Sequence, residues 1–179
     1  MPEDLAGLLA DVDAQAARLT DAHRERLRCQ KGCTACCRQP LSVPSVEAAH
    51  ILSWLLRKGI PDHDPAPTAA DDHPLFDALS GDQPCVFLTA GGACGIYPVR
   101  PLVCRVHGLP LRLADGRVDA CPMNFDGDPS SIAPLDLEGL HRRLAIVERR
   151  YCAQEGQRSG RLWLSQVRDL ALEIAAEGL

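Results

Sequence analysis

Four cysteines within nine residues constrain this chain more than any other feature of its sequence. Cys29, Cys33, Cys36 and Cys37 stand in the stretch CQKGCTACC. In a helix these positions would share one face within roughly 100°, and in a loop Gly32 would permit the tight bend that converging ligands need. Either conformation directs soft sulfur donors to one side. Because Cys36 and Cys37 are neighbours, we expect them to serve two metal positions or to bridge two metals.

The composition implies that these cysteines are present for their chemistry rather than for crosslinking. A chain of 179 residues can bury a core without disulfides. Aromatic residues make up only 4% of the chain, so we expect a core of Leu, Val, Ile and Ala, packed mainly as helices. The net charge of −5 argues against non-specific binding to nucleic acid or anionic lipid. The sequence therefore favours neither nucleic acid nor a membrane as a partner, and it names no protein partner.

The N-terminal sequence and the cysteine count together indicate a reducing compartment. The first residues have neither the basic region nor the apolar run of a secretion signal, and no segment approaches membrane-spanning length. We therefore expect a cytoplasmic protein. There, nine cysteines point to metal binding or redox chemistry rather than to disulfides. The odd count agrees, because a disulfide framework would leave one thiol over.

Hydrophobic periodicity predicts helices on both sides of the cysteine-rich region. The second of them should end at Gly59, a residue that often terminates helices. The helices are predicted at residues 3–28, 45–58, 135–152 and 161–177.

The segments between the helices have the composition of connections, with one exception. Residues 38–43 should form a short connector, and the Pro- and Asp-rich residues 60–74 an irregular exposed one. Alternating apolar residues around Asp115-Gly116 predict a β-hairpin over 109–120. We therefore predict a single small α+β domain, residues 1–179, mainly helical, with irregular cysteine-rich segments and one β-hairpin.

Eight of the nine cysteines form a set that metal chemistry explains. Cys152 lies apart in sequence, and we interpret it as a small buried thiol rather than a ligand. Zinc and the iron–sulfur clusters each take four protein thiolates, so two four-cysteine sites or one polynuclear centre would use the other eight. Metal binding would then join residues 29–37 to residues 85–121. The predicted ligands are Cys29, Cys33, Cys36, Cys37, Cys85, Cys94, Cys104 and Cys121.

Charge balance predicts which residues surround the metal. Four thiolates around a divalent ion leave a net charge of −2, which favours nearby cations and hydrogen-bond donors. Arg100 and Arg105 flank Cys104 and should supply them, and His107 should have a supporting role of this kind. Lys31 and Arg38 could act in the same way or form ordinary surface salt bridges.

The identity of the metal stays open at this point. The spacing C-x3-C-x2-C-C matches neither the paired C-x2-C zinc knuckle nor the bacterial ferredoxin run. Zinc and an iron–sulfur cluster are both compatible with it, and copper(I) is a third choice because the chain has only two methionines. For His50 we prefer an ordinary helix position over a ligand role. For His63 and the acidic residues after it we prefer a solvated loop.

The cysteine spacing together with the sequence CGIYPVRPLVCR, which runs from Cys94 to Arg105, resembles the YkgJ-type cysteine-cluster family. That family is described as a zinc- or iron-chelating domain and includes relatives of flagellin lysine N-methylase. The resemblance covers about residues 25–125 and implies a metal centre built from the eight cysteines. The helices predicted over 135–179 lie outside it.

Three functions are compatible with these features. The leading one is a cytoplasmic metal-binding protein whose eight cysteines hold zinc or an iron–sulfur cluster. The second is an N-methylase-like enzyme, or an accessory to one, although no glycine-rich loop typical of S-adenosylmethionine binding is present. The third is a thiol redox or disulfide protein, which the expected compartment opposes. Hydrolase signatures such as G-x-S-x-G and H-E-x-x-H are missing from the sequence.

Overall fold

The computed structural model describes residues 3–29, 33–63 and 84–178. Within them the chain forms five α-helices and five short strands. The helices are α1 Glu3–Ala22, α2 Ser45–Lys58, α3 Leu102–Val106, α4 Leu137–Gln154 and α5 Leu164–Glu177. The strands are β1 Ser42–Pro44, β2 Leu111–Arg112, β3 Val118–Asp119, β4 Leu135–Asp136 and β5 Arg161–Trp163. The prediction of a mainly helical α+β fold is confirmed.

The chain divides into two compact units, each built from two separate segments. Unit 1 contains Met1–Cys29 and Pro101–Glu155, and unit 2 contains Gln30–Arg100 and Gly156–Leu179. The boundary after Cys29 divides the first cysteine cluster, and the boundary after Arg100 divides the second. The assignment of the whole chain to a single domain stays a prediction.

In unit 1, helix α1 packs against α3 and α4. Its buried side chains recur every three or four residues, which places them in one stripe along the helix. They are Leu5, Leu8, Leu9, Val12 and Ala16. Three Asp residues of α1 form salt bridges with arginines of the neighbouring helices: Asp4 with Arg150, Asp11 with Arg143 and Asp13 with Arg105.

A small sheet of unit 1 contains the predicted hairpin. Strands β2 and β3 pair antiparallel, and Gly116 turns between them with a φ of +84°. Strand β2 also pairs parallel to β4, with Leu111 opposite Leu135. The predicted start of a helix at residue 135 was therefore wrong: Leu135–Asp136 is a strand, and α4 begins at Leu137. Asp136 caps that helix by accepting a hydrogen bond from the Gly139 N–H at 3.0 Å.

In unit 2, helices α2 and α5 pack together beside the β1–β5 pair. Helix α2 has the predicted bounds, and Gly59 follows it with a φ of +91°. Residues 161–163, predicted as helix, instead form β5, because they pair antiparallel with β1 in a segment predicted as a connector. The core residues of this unit are Val43, Ala48, Ile51, Leu55, Phe87, Ile96, Val99, Leu164, Val167 and Ala171.

Helix α1 ends at Ala22, six residues before the predicted end at residue 28. The chain continues as one 3-10 turn, Arg24–Arg26, and then becomes extended at Leu27. Contacts distant in sequence account for this. The Arg26 guanidinium donates to the carbonyl oxygens of Phe125 and Asp128 at 3.1 and 3.2 Å. These bonds outweigh the weak local preference for helix.

Of the predicted irregular segment 60–74, residues 60–63 are irregular, and the remainder, with its acidic residues, lies outside the described residues.

Among the helices that the structure describes, none has the length and apolar composition needed to cross a bilayer.

Two of these Asp–Arg pairs, those of Asp13 and Asp11, give a first prediction. The Arg105 side chain is 5% exposed, whereas that of Arg143 is 45% exposed. Asp13→Ala removes the salt-bridge partner of a buried arginine and should lower the free energy of unfolding by about 2 kcal/mol. Asp11→Ala breaks an exposed pair and should cost less than about 1 kcal/mol. Urea unfolding of both variants checks this, and equal losses would contradict it.

Candidate metal centre

Cys36 and Cys37 lie in a short 3-10 turn, Ala35–Arg38. The turn follows Thr34, which is fully buried and whose carbonyl oxygen accepts the Cys37 N–H at 2.8 Å. Buried Thr34 therefore anchors the turn. Cys36 is exposed and Cys37 half-buried, so the pair lies at the surface of unit 2. Residues 33–37 are therefore neither a full helix nor a plain loop, and the predicted bend at Gly32 lies outside the described residues.

Cys85 and Cys94 lie at the two ends of a tight loop in the same unit. Leu88 and Cys94 form an isolated antiparallel bridge, and the Gly95 N–H donates to the Phe87 carbonyl at 2.7 Å. Both cysteines pack against the core of unit 2. The Cys85 N–H also donates to the Cys37 carbonyl oxygen at 2.6 Å. This bond joins the loop directly to the 3-10 turn.

These four thiols interact with one another electrostatically. A hydrogen bond with the Cys36 side chain is the main cause that raises the pKa of Cys37, followed by burial and by repulsion from Cys36, Cys85 and Cys94. Burial raises the pKa of Cys85 and of Cys94, and repulsion from Cys36 raises both further. Each pair among the four thiols is therefore linked by electrostatic repulsion. A cation at this position would relieve the repulsion.

The same residues that anchor the loop in the core also donate to sulfur. The backbone N–H of Phe87 bonds to Cys85 and that of Ile96 to Cys94, which lowers the pKa of each thiol and partly offsets burial. The side chains of Phe87 and Ile96 are each 1% exposed. Because both side chains are buried, the two donors are fixed relative to the core.

The two predicted arginines have different partners. Arg100 lies near Cys94 and lowers the pKa of that thiol. Its guanidinium stacks 3.9 Å above the Tyr97 ring and donates to the Tyr97 carbonyl at 3.0 Å. The buried Arg105 instead forms the salt bridge with Asp13 described above.

In unit 1, Cys29 and Cys121 lie near the same glycine. A Cβ atom placed on Gly108 would be 3.0 Å from the Cys29 sulfur and 3.6 Å from Cys121 Cβ. Asn124 completes this group, since its Nδ2 donates to the Cys29 sulfur at 3.2 Å. Asn124 was not among the site residues predicted from the sequence. The only signal for it was its position three residues after Cys121, in a chain with no other asparagine.

The remaining cysteines and His107 are less closely tied to these groups. Cys33 is half-buried in unit 2, and Cys104 is exposed on α3 of unit 1. His107 is exposed, and its backbone N–H donates to the Val103 carbonyl at 3.0 Å. Their roles as ligands or supporting residues stay predictions.

Cys152 is buried in unit 1. It is 4% exposed, and its sulfur lies 3.4 Å from a carboxylate oxygen of Glu148. All nine cysteines belong to the described residues, and none of them is joined in a disulfide.

The donor chemistry fits a thiophilic metal, although the side chains do not converge on one point. Over residues 3–29, 33–63 and 84–178, no three His, Cys, Asp or Glu side chains are close enough to hold an ion as they stand. Four coupled thiols, two N–H donors aimed at sulfur and one nearby guanidinium are nevertheless the groups that a zinc or iron thiolate site requires.

The comparison with protein families agrees with this chemistry. The model of the CxxCxxCC family, described as a proposed zinc- or iron-chelating domain, matches residues 28–122. The chain belongs to the CxxCxxCC family. The match includes all eight predicted ligands and ends before Cys152. Comparisons with curated proteins and with solved structures found no match.

Gly108 of this CxxCxxCC protein gives a prediction with a built-in control. Gly108 and Gly116 have φ values of +88° and +84°, but only Gly108 has atoms within 4 Å of an added Cβ. Both Ala variants carry backbone strain of about 1–2 kcal/mol. Gly108→Ala should lose about 1–2 kcal/mol more, because its methyl group overlaps the Cys29 sulfur. Urea unfolding of the metal-free chain measures the difference, and equal losses would disprove the close contact.

The raised thiol pKa values predict how metal binding by this CxxCxxCC protein depends on pH. The Cys36 hydrogen bond raises the pKa of Cys37, and burial and repulsion raise the pKa values of Cys37, Cys85 and Cys94; zinc must therefore displace their protons. The affinity should therefore rise with pH, by about tenfold per pH unit for each proton displaced. Competition with a chelator at several pH values measures this slope. Cys37→Ser should reduce it and Cys152→Ser should not; an affinity independent of pH would contradict the assignment.

Proposed function

We propose that this protein chelates zinc or iron through the thiolates of Cys36, Cys37, Cys85 and Cys94, in the reducing environment of the cytoplasm. The backbone hydrogen bond from the Cys85 N–H to the Cys37 carbonyl oxygen carries the proposal, because it joins the two segments of unit 2 from which these four cysteines come. Electrostatic repulsion between thiols of the two segments agrees with it. Bound metal would supply positive charge to offset the thiolates.

The residues around the thiols have separate tasks in this proposal. The N–H groups of Phe87 and Ile96 hold the sulfurs of Cys85 and Cys94 in place and stabilise their negative charge. Arg100 adds a cation near Cys94, and its stacking on Tyr97 limits the freedom of its side chain.

The main contribution of this centre is structural. Between Cys37 and Cys85 lie α2 and the residues up to 83, and the centre would fasten the two ends of this segment. A metal that binds the folded chain and not the unfolded one stabilises the fold by mass action. The same thiolates could hold an iron–sulfur cluster, in which case the centre would also carry an electron.

Of the other predicted ligands, Cys29, Cys104 and Cys121 belong to unit 1. The approach of Cys29 and Cys121 around Gly108 supports a metal-binding role for these two. Cys33 belongs to unit 2, and only the cysteine spacing of the first cluster supports a ligand role for it.

Anaerobic purification followed by metal analysis tests the proposal. We expect the wild-type chain to retain zinc, or iron with acid-labile sulfide and visible charge-transfer absorbance. Cys37→Ser should lose at least one metal site, whereas the buried control Cys152→Ser should retain all of them. Circular dichroism of both variants checks that they have the fold of the wild type.

Two results would contradict the proposal. One is a wild-type protein without metal whose nine thiols all react with a thiol reagent. The other is equal metal content in the Cys37→Ser and Cys152→Ser variants. Thiols that appear only after a reductant is added would instead support the disulfide alternative.

A further inference from the structure

Both polar atoms of the Asn124 side chain form hydrogen bonds within unit 1. It is 1% exposed. Its Oδ1 accepts the backbone N–H of Arg28 at 2.8 Å, and its Nδ2 donates to the Gly108 carbonyl oxygen at 2.7 Å. The second N–H of Nδ2 reaches the Cys29 sulfur at 3.2 Å. Three bonds to three different parts of the chain therefore hold one amide.

The two backbone partners decide which way the amide faces. Arg28 offers an N–H, which only Oδ1 can accept, and Gly108 offers a carbonyl, which only an N–H can satisfy. A flipped amide would place like groups against each other on both sides. The N–H aimed at Cys29 is therefore set by the backbone and not by the sulfur.

We infer that Asn124 is the positioning residue for Cys29 in metal binding. This rests on the proposed function, since it takes Cys29 to be a ligand. The thiolate form of Cys29 would accept the Nδ2–H, while the thiol form can donate weakly to Oδ1, which lies 3.8 Å away. The amide thus orients the sulfur in either form.

The backbone after Asn124 supports this assignment. Phe125 and Asp126 have φ values of +56° and +54°, a conformation that non-glycine residues rarely adopt. Phe125 is fully buried, with the Arg26 guanidinium 5.7 Å above its ring. Arg26 also donates to the Phe125 carbonyl oxygen at 3.1 Å. Buried and bonded in this way, Phe125 holds a strained turn that delivers Asn124 to Cys29.

The unique asparagine makes the hydrogen bond directly observable. Labelling the full chain with ¹⁵N-asparagine gives one side-chain NH₂ signal pair, because Asn124 is the only asparagine. On addition of zinc ions to the metal-free protein, one proton of the pair should shift, since its acceptor becomes a metal-bound thiolate. Cys29→Ala should abolish this shift, and Cys152→Ser should preserve it.

An affinity measurement separates positioning from simple packing. Removing an outer partner of a metal ligand typically weakens binding by about 10–100-fold. We expect this loss for Asn124→Ala in competition with a zinc chelator. Met123→Ala changes the neighbouring half-buried residue of the same loop and should keep the wild-type affinity, because a methionine side chain has no hydrogen-bond donor to offer the Cys29 sulfur.

The outcomes distinguish this inference from the proposed function. Zinc uptake that leaves the NH₂ pair unchanged would overturn the positioning role and leave metal binding intact. A wild-type chain that takes up neither zinc nor iron would overturn both. Should Asn124→Ala fail to fold, the NMR comparison of wild type with Cys29→Ala still decides the question.

Discussion

Neighbouring thiols repel one another once they lose their protons, and the arrangement of cysteines around Cys37 in unit 2 depends on how this repulsion is balanced. The Phe87 and Ile96 N–H groups and the Arg100 guanidinium offset part of it. The donors are effective because the side chains of Phe87 and Ile96 are buried in the core, which fixes their backbone. The pKa values of Cys37, Cys85 and Cys94 are nevertheless raised. The remaining negative charge of the thiolates is what a metal ion would neutralise.

In unit 1 the hydrogen bond to a cysteine sulfur comes from a side chain instead of a backbone N–H. Cys29 follows the shortened helix α1 and the extended residue Leu27. The Asn124 side chain donates a hydrogen bond to its sulfur. The Gly108 position must stay without a Cβ for the sulfur and the amide to approach each other. In unit 2 a local turn provides the donors, whereas in unit 1 a distant loop provides one.

The sequence predicted those elements whose signals are local. Helix α2 begins and ends where Ser45 and Gly59 indicate, and the Asp115-Gly116 turn forms the expected hairpin. Contacts across roughly a hundred residues determine the end of α1, strand β5 and the role of Asn124. The hydrophobic periodicity of the sequence gives no information about such contacts. The eight cysteines were recognisable from their number and spacing. Their division between two units was not, because spacing along a chain says nothing about where it crosses from one unit to the other.

The interleaving of the two units has a consequence for how the protein is made. Strand β1 is completed by β5, and Ser42 bonds to Arg161, which is 119 residues later. A ribosome that adds about 5–20 residues per second takes about 6–24 s to cover that distance. During this interval the thiols between residues 36 and 94 have left the peptidyl transferase centre, while the strand and helix that complete their unit do not yet exist. Metal supply and translation speed therefore set whether these sulfurs first meet an ion or the rest of their own fold.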